Sequence, residues 1–329
     1  MQDTPQQHII EARTHFPRGL EQPKGSLRFG ADALLLAAFA ARHLPQKAPT
    51  FDGARGNPTL VAELGCGCGA ALLGLAMRCP QIYGLGLERE KPLVLSAVNN
   101  AALLGLSGQL FFTDLDLADG TSLAALRVPD HQAVALKSPT ASPVLAARHL
   151  GQHPQVLQPA CNRLDMVMAN PPYDRGGRPS LNHMREHAMR GSDGAQGRAA
   201  TLDVFCRAAA TLLRHHGRFF CIYDAQALPR LCVALNAARL GVRRILPVHT
   251  HRDAPALRVL VEARKNAAHD TALEAPLVLH GAPGATHLHG APTTPNCAGP
   301  SWSAEALAFC PWLGPALLSA TAKNAYTAQ

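Results

Sequence analysis

The chain has 329 residues, 31 Lys and Arg against 23 Asp and Glu, and a formal charge of +8. That length suits one large domain or two ordinary ones, and 47% apolar residues can fill a sizeable core, which excludes a disordered chain. The longest apolar runs, such as Ala33 to Ala41, are too short to cross a bilayer, and no charged-then-apolar leader precedes a cleavage site. The expectation is a soluble, cytoplasmic protein with no membrane partner, whose positive balance favours a polyanion. Nine cysteines with no CxxC pair read as reduced thiols used as small hydrophobes, so neither disulfides nor a zinc site is expected.

The first 30 residues are polar, with Pro and Gly. Asp32 reads as the N-cap of a helix running through Leu34, Leu35, Phe39 and Ala40. Residues 45–58 hold three prolines and two glycines and read as a linker. From Thr59 the chain alternates in type. Thr59–Leu64 is a strand, Gly65–Gly69 a glycine-rich turn and Ala70–Arg78 a helix. Ile82–Leu87 is a second strand, followed by a helix that starts at Pro92 and runs to Leu104. Gln109–Thr113 and Leu164–Ala169 are the third and fourth strands. Ala199–Arg214 is a helix, Arg218–Tyr223 a strand and Ala227–Leu240 a helix; Ile245–His249, Arg258–Ala263 and Pro276–His280 are strands.

This alternation predicts an α/β fold with a doubly wound, mostly parallel sheet. The last two long strands have no helix between them and should pair as an antiparallel hairpin. Residues 116–160 break the rhythm and read as a mobile insertion. Residues 1–58 form an N-terminal segment and linker, 59–281 the main domain, and 282–329 a Gly/Pro-rich, partly disordered tail. Trp302, Leu307, Phe309 and Trp312 could return that tail to the body.

Glu63-Leu64-Gly65-Cys66-Gly67-Cys68-Gly69 follows a strand and opens a helix. Glycines let the chain turn sharply and let a ligand approach the backbone, with free N–H groups of the helix behind them. The GxGxG spacing disfavours a dinucleotide, and no Gly-Lys-Ser/Thr follows, so the turn is not a P-loop. Glu88, ending the second strand, stands where a carboxylate can accept both ribose hydroxyls. Glu63, at the end of the first strand, can meet an ammonium or act through water, and Asp114, ending the third strand, can reach an adenine amino group. The alternative is that these acids merely cap the helices that follow. Gly65, Gly67, Gly69, Glu88 and Asp114 together resemble the S-adenosylmethionine site of class I methyltransferases. The resemblance implies that fold, with a seven-stranded sheet, and that cofactor.

Asn170-Pro171-Pro172-Tyr173 directly follows the fourth strand. The two prolines stiffen the backbone, so carbonyls project from a fixed frame. The Asn170 side-chain oxygen and the Pro171 carbonyl can accept both hydrogens of an exocyclic amine, exposing its lone pair to a sulfonium methyl. Tyr173 can stack on the base, which must be flipped or already unpaired. The turn is similar to the motif of amino-methyltransferases, which modify adenine, cytosine N4 or a protein glutamine amide.

Three further stretches resemble the bacterial tRNA1(Val) adenine-N6 methyltransferases. The first holds Gln22-Pro23, Gly25, Arg28-Phe29 and Asp32-Ala33-Leu34-Leu35-Leu36; the second Arg175-Gly176-Gly177-Arg178 with Arg185 and Arg190; the third Pro255-Ala256 and Arg258 to Lys265. The resemblance covers about residues 20–115 and 161–281. It implies that the N-terminal segment closes over the cofactor, with Arg28, Asp32 and Asn170 contributing there, and that the acceptor is tRNA. Arg175, Arg178, Arg185 and Arg190 are candidates for phosphate contacts that position RNA without reading its sequence. His183 and His187 are four apart, but no third ligand accompanies them, so no metal is expected. Open at this stage are a glutamine amide, ribosomal RNA or DNA as acceptor, a catalytically silent RNA-binding module, and the oligomeric state, a monomer included.

Overall fold

The computed structural model describes residues 5–44, 59–129, 157–173, 194–281 and 301–314. Seven long strands carry the sheet: β1 (Thr59–Leu64), β2 (Ile82–Glu88), β3 (Leu110–Asp114), β6 (Leu164–Ala169), β7 (Leu213–Asp224), β8 (Leu240–His249) and β9 (Ala256–Lys265). Their order is β8-β9-β7-β6-β1-β2-β3, with the two-residue strands β10 (Ala272–Leu273) and β11 (Leu277–Val278) beside β8. Within this sheet the described pairs are parallel except those of β9, which runs antiparallel to β7 and β8. The expected mostly parallel sheet and C-terminal hairpin are both present. The hairpin follows from chain length: six residues separate β8 from β9, too few for the crossover a parallel pair needs.

Helices cover both faces. On one side lie α2 (Ala31–Ala41), α3 (Ala70–Arg78) and α8 (Ala304–Phe309); on the other, α6 (Gly194–Leu212) and α7 (Leu228–Ala237). Strand residues alternate between the two cores: Leu60, Ala62 and Leu64 enter one, Val61 the other.

Helix α2 is apolar all round, and Ala33 to Ala41 are all buried. Its Phe39 ring packs edge-on against Phe220 of β7 at 5.7 Å. Thus, within the segment read as a closing arm, α2 is part of the core. Its N-cap is Gly30, not Asp32 as the sequence suggested, and no side chain caps it. The Asp32 carboxylate is instead drawn sideways by Arg258 of β9. At the other end of α2, Arg218 of β7 donates to the His43 carbonyl at 2.7 Å.

An additional helix, α1 (Pro5–His15), buries none of its residues, so apolar periodicity could not reveal it. It is held by Arg13 Nε, which donates to the Leu104 carbonyl at the end of α4 (Lys91–Leu103), at 2.8 Å. The stretch read as an insertion starts with helix α5 (Gly120–Ala125), capped by Asp119. Its described ends, β4 (Arg127–Pro129) and β5 (Leu157–Pro159), pair antiparallel. Strand β7 starts five residues before the predicted Arg218, across a register shift against β6. In the C-terminal segment, Trp302, Leu307, Phe309 and Trp312 all pack on the core, and Trp312 meets Phe16 edge-on at 5.1 Å.

Phe39 is wholly buried between α2 and the sheet. Phe39→Ala should lower unfolding free energy by about 3–5 kcal/mol, read from the shift in guanidinium midpoint.

Candidate functional site

Strand pairing alone brings the sequence motifs together. The chain runs outward through β1, β2 and β3, then returns to β6 beside β1, so the order reverses between β1 and β6. In open α/β sheets ligands bind at such a switch point, beyond the carboxyl ends of the strands. Here Leu64 pairs with Ala169, so Gly65 and Asn170 leave neighbouring strand ends side by side. Leu64 also pairs with Leu87, and Glu88 with Asp114. The glycine loop, Glu88, Asp114 and the Asn-Pro-Pro-Tyr turn therefore share one edge.

Gly65, Gly67 and Gly69 all have positive φ, at 62°, 56° and 85°. Cys66 N–H donates to the Leu87 carbonyl at 3.1 Å and Gly69 N–H to the Cys66 carbonyl at 2.9 Å, which closes the loop. A Cβ on Gly67 would point into open space, so the loop is open to a ligand at that residue. Buried Asn100 of α4 supports the loop from behind. Its Nδ2 donates to the Cys68 carbonyl at 3.0 Å, and its Oδ1 accepts from Glu21 N–H at 2.7 Å. Burial raises the pKa of both loop cysteines, Cys68 to about 12, so they remain neutral thiols.

The three acids differ. Glu88 accepts from Gly67 N–H at 2.9 Å through Oε2 and from Glu90 N–H at 3.0 Å through Oε1. Each oxygen keeps a lone pair for a further donor, which fits a pair of ribose hydroxyls. Burial raises its pKa, against the pull of those N–H groups. Glu63 accepts from Leu72 N–H at 2.9 Å, in the first turn of α3. It thus performs the capping role that was the alternative for these acids. Desolvation pushes its pKa up to about 8. Asp114 is half exposed and lies 3.6 Å from Lys91.

At the turn, Pro171 is buried while Asn170, Pro172 and Tyr173 are half-buried. The Tyr173 hydroxyl lies 2.6 Å from Asn170 Oδ1 and 3.0 Å from Asp32 Oδ2. The Arg258 guanidinium sits 4.3 Å from the Tyr173 ring centre, and the Tyr223 ring meets it edge-on at 5.7 Å. One ring face is therefore covered by a cation, which takes that face from the stacking expected of Tyr173. Arg258 also donates through Nε to Asp32 Oδ2 at 3.1 Å and lies 3.8 Å from Asp224. It stands opposite Asp224 in the β7–β9 register, at the same sheet edge.

Arg258 had no role in the sequence reading beyond its place in a family-like stretch. The signal was an arginine opening a mainly apolar strand. Asn100 gave no comparable signal within α4. Arg28 is exposed, ahead of α2. Arg175, Arg178, Arg185, Arg190 and the His183–His187 pair lie outside the described residues. Among the described residues, no group of three or more His, Cys, Asp and Glu could hold a metal, and no helix is long and apolar enough to cross a membrane.

No protein-family model matches the chain, and no curated protein matches it either. Solved structures do. A predicted O-methyltransferase, Atu636 from Agrobacterium tumefaciens, is 18% identical over 78% of this chain and 91% of its own, with a TM-score of 0.49. TrmN from Thermus thermophilus is 14% identical over 70% of this chain and 48% of its own, with a TM-score of 0.41. The geranyl diphosphate C-methyltransferase from Streptomyces coelicolor A3(2), crystallised with S-adenosyl-L-homocysteine, is 13% identical over 70% of this chain and 74% of its own, at 0.40.

Glu63 makes a pH prediction. Its pKa is higher folded than unfolded, so its stabilising contribution is complete below the ordinary carboxylate range and lost as pH rises toward about 8. The wild type should lose a few kcal/mol of stability between about pH 5 and 9 through this group. Glu63→Gln keeps an acceptor for Leu72 without the charge. Its stability should fall less over that range, measured by denaturant unfolding at both pH values.

Proposed function

We propose that this protein transfers a methyl group from S-adenosylmethionine to the exocyclic N6 amine of an adenine in tRNA. The observation that carries the reading is the Leu64–Ala169 pairing, which sets the glycine loop beside Asn170 and Pro171. A loop fit for a methyl donor and a turn fit for an amine acceptor are thereby neighbours. The residues present suit S-adenosylmethionine: the open backbone at Gly67, the remaining lone pairs of Glu88, and Asp114 beyond it. When bound, this cofactor supplies an electrophilic methyl on a sulfonium.

The chain's own residues do the rest. Glu88 holds the ribose hydroxyls. Glu63 meets the ammonium, and a cation beside it favours its charged form. The Asn170 side-chain oxygen and the Pro171 carbonyl accept the two amine hydrogens, which draws the nitrogen lone pair out of conjugation and holds it in line. The lone pair so exposed would take that methyl from the bound cofactor, and the extra proton would leave the nitrogen to water, so no strongly shifted general base is needed. The net charge of +8 and the arginines after the turn favour a polyanionic acceptor, and tRNA in particular follows from the family resemblance.

Asn170→Ala should reduce transfer by about 100-fold or more while the Kd for S-adenosylmethionine, by titration calorimetry, stays within about threefold. Mass spectrometry of tRNA nucleosides from cells with and without the protein tests the acceptor. Loss of N6-methyladenosine from one tRNA is the expected result. Methyl found instead on a glutamine amide, ribosomal RNA or DNA would replace tRNA as the acceptor, and no cofactor binding at all would overturn the reading.

A further inference from the structure

Two acceptors compete for one proton at the carboxyl edge. The Tyr173 hydroxyl reaches both Asp32 Oδ2, at 3.0 Å, and Asn170 Oδ1, at 2.6 Å. A phenol has a single proton to donate, so both contacts cannot be donations from Tyr173. The acceptors are unequal. Asp32 Oδ2 also takes the Nε–H of Arg258, whose side chain is 4% exposed. A carboxylate held by a buried guanidinium is charged, and hydrogen bonds to charged acceptors are roughly twice as strong as those to neutral ones. That charge draws the phenol proton to Asp32, even though the contact to Asn170 is the shorter of the two. Burial foremost, and the Asp32 charge with it, raise the Tyr173 pKa, so the hydroxyl stays protonated.

The phenol oxygen then offers Asn170 only lone pairs, and a carbonyl oxygen at that distance would face it unfavourably. The two ends of an Asn amide are nearly the same size, and which end is oxygen follows from the hydrogen-bond network. Turned over, the amide gives an Nδ2–H to Tyr173 Oη and directs Oδ1 away from it.

Resting on the proposed function above, we infer that Tyr173 is a positioning residue whose hydroxyl, donating to Asp32, accepts the Asn170 amide and so aims the Asn170 carbonyl at the incoming amine. Arg258 fixes the charge that sets the direction of this chain of hydrogen bonds. Asp32 acts on the acceptor side of the site, through Tyr173 and Asn170. The importance of Tyr173 then lies in its hydroxyl more than in its ring, one face of which Arg258 already covers.

The test uses the full-length protein, with bulk tRNA from cells lacking it as acceptor. Tyr173→Phe keeps the ring and removes the hydroxyl; Asp32→Asn removes the charge that draws the proton. Each should lower kcat by about 10- to 100-fold with acceptor KM and cofactor Kd within about twofold. The double variant should be no worse than the poorer single one, because both break one chain. Unchanged kcat in Tyr173→Phe would overturn the inference, as would a parallel loss in all three constants. A second measurement is independent of turnover. In nitrogen-15 spectra, the Asn170 side-chain NH2 pair, assigned by its loss in Asn170→Asp, should show one proton moving upfield in Tyr173→Phe. Two unmoved protons would mean that Tyr173 donates to Asn170, which overturns the inference. If the wild type methylates no amine yet that proton moves, the hydrogen-bond direction stands and the methyltransferase reading falls.

Discussion

The parallel pairing of β1 with β6 is the constraint on which the site depends. A parallel pair needs a crossover connection, and the chain makes this one only after laying out β2 and β3 on the far side of β1. The helices that follow β1 and β6 lie on opposite faces of the sheet, the arrangement in which ligands of open α/β sheets bind between two such strand ends. Both faces of the sheet are covered, so the strand interiors are apolar and polar groups gather at the ends. A one-residue slip between β1 and β6 would turn Glu63 and Leu64 to the wrong faces and separate Gly65 from Asn170.

Burial shapes what stands at that edge. Buried carboxyl oxygens need donors, and here backbone N–H groups supply them: Leu72 to Glu63, Gly67 and Glu90 to Glu88. The same amides thus hold the loop shape and aim the acids. Close packing adds a second demand. A Cβ on Gly86 would come within 2.3 Å of the Phe112 ring and 2.8 Å of Cys66 Sγ. This strand glycine lets β3 and the loop close over β2, where any side chain would push Phe112 outward.

Two arginines tie the helical layer to the sheet at opposite ends of α2. Arg218 holds the carbonyl end through His43, and Arg258 holds Asp32 in the first turn. The first contact lies beside Glu262, wholly buried on β9 and within 4 Å of Arg218, Arg244 and Arg264. The second enters the site directly. Fold stability and the geometry of the Asn-Pro-Pro-Tyr turn therefore share Arg258, and a change there acts on both.

Local signals were legible in the sequence because their causes are local. Short, mainly apolar runs marked Thr59–Leu64 and Leu164–Ala169 to the residue; the glycines marked a sharp turn, which has positive φ; and the Pro-Pro pair marked a rigid strand end. Helix α1 escaped because it buries nothing, so it leaves no apolar stripe. The start of β7 escaped because Arg214, His215 and His216 are exposed and polar, so no apolar pattern precedes Arg218. The sequence by itself determined the elements, their alternation and hence the doubly wound sheet, along with the two motifs at its edge. Tertiary structure decided the assignments within the site: that Glu63 caps α3, that Asp32 serves Arg258 instead of its own helix, and that Tyr173 sits under a guanidinium. The physical reason is distance along the chain. Asp32 and Arg258 are 226 residues apart, and Asp32 and Tyr173 are 141 apart. Neither pair exists until the sheet order brings their strands and helix to one edge.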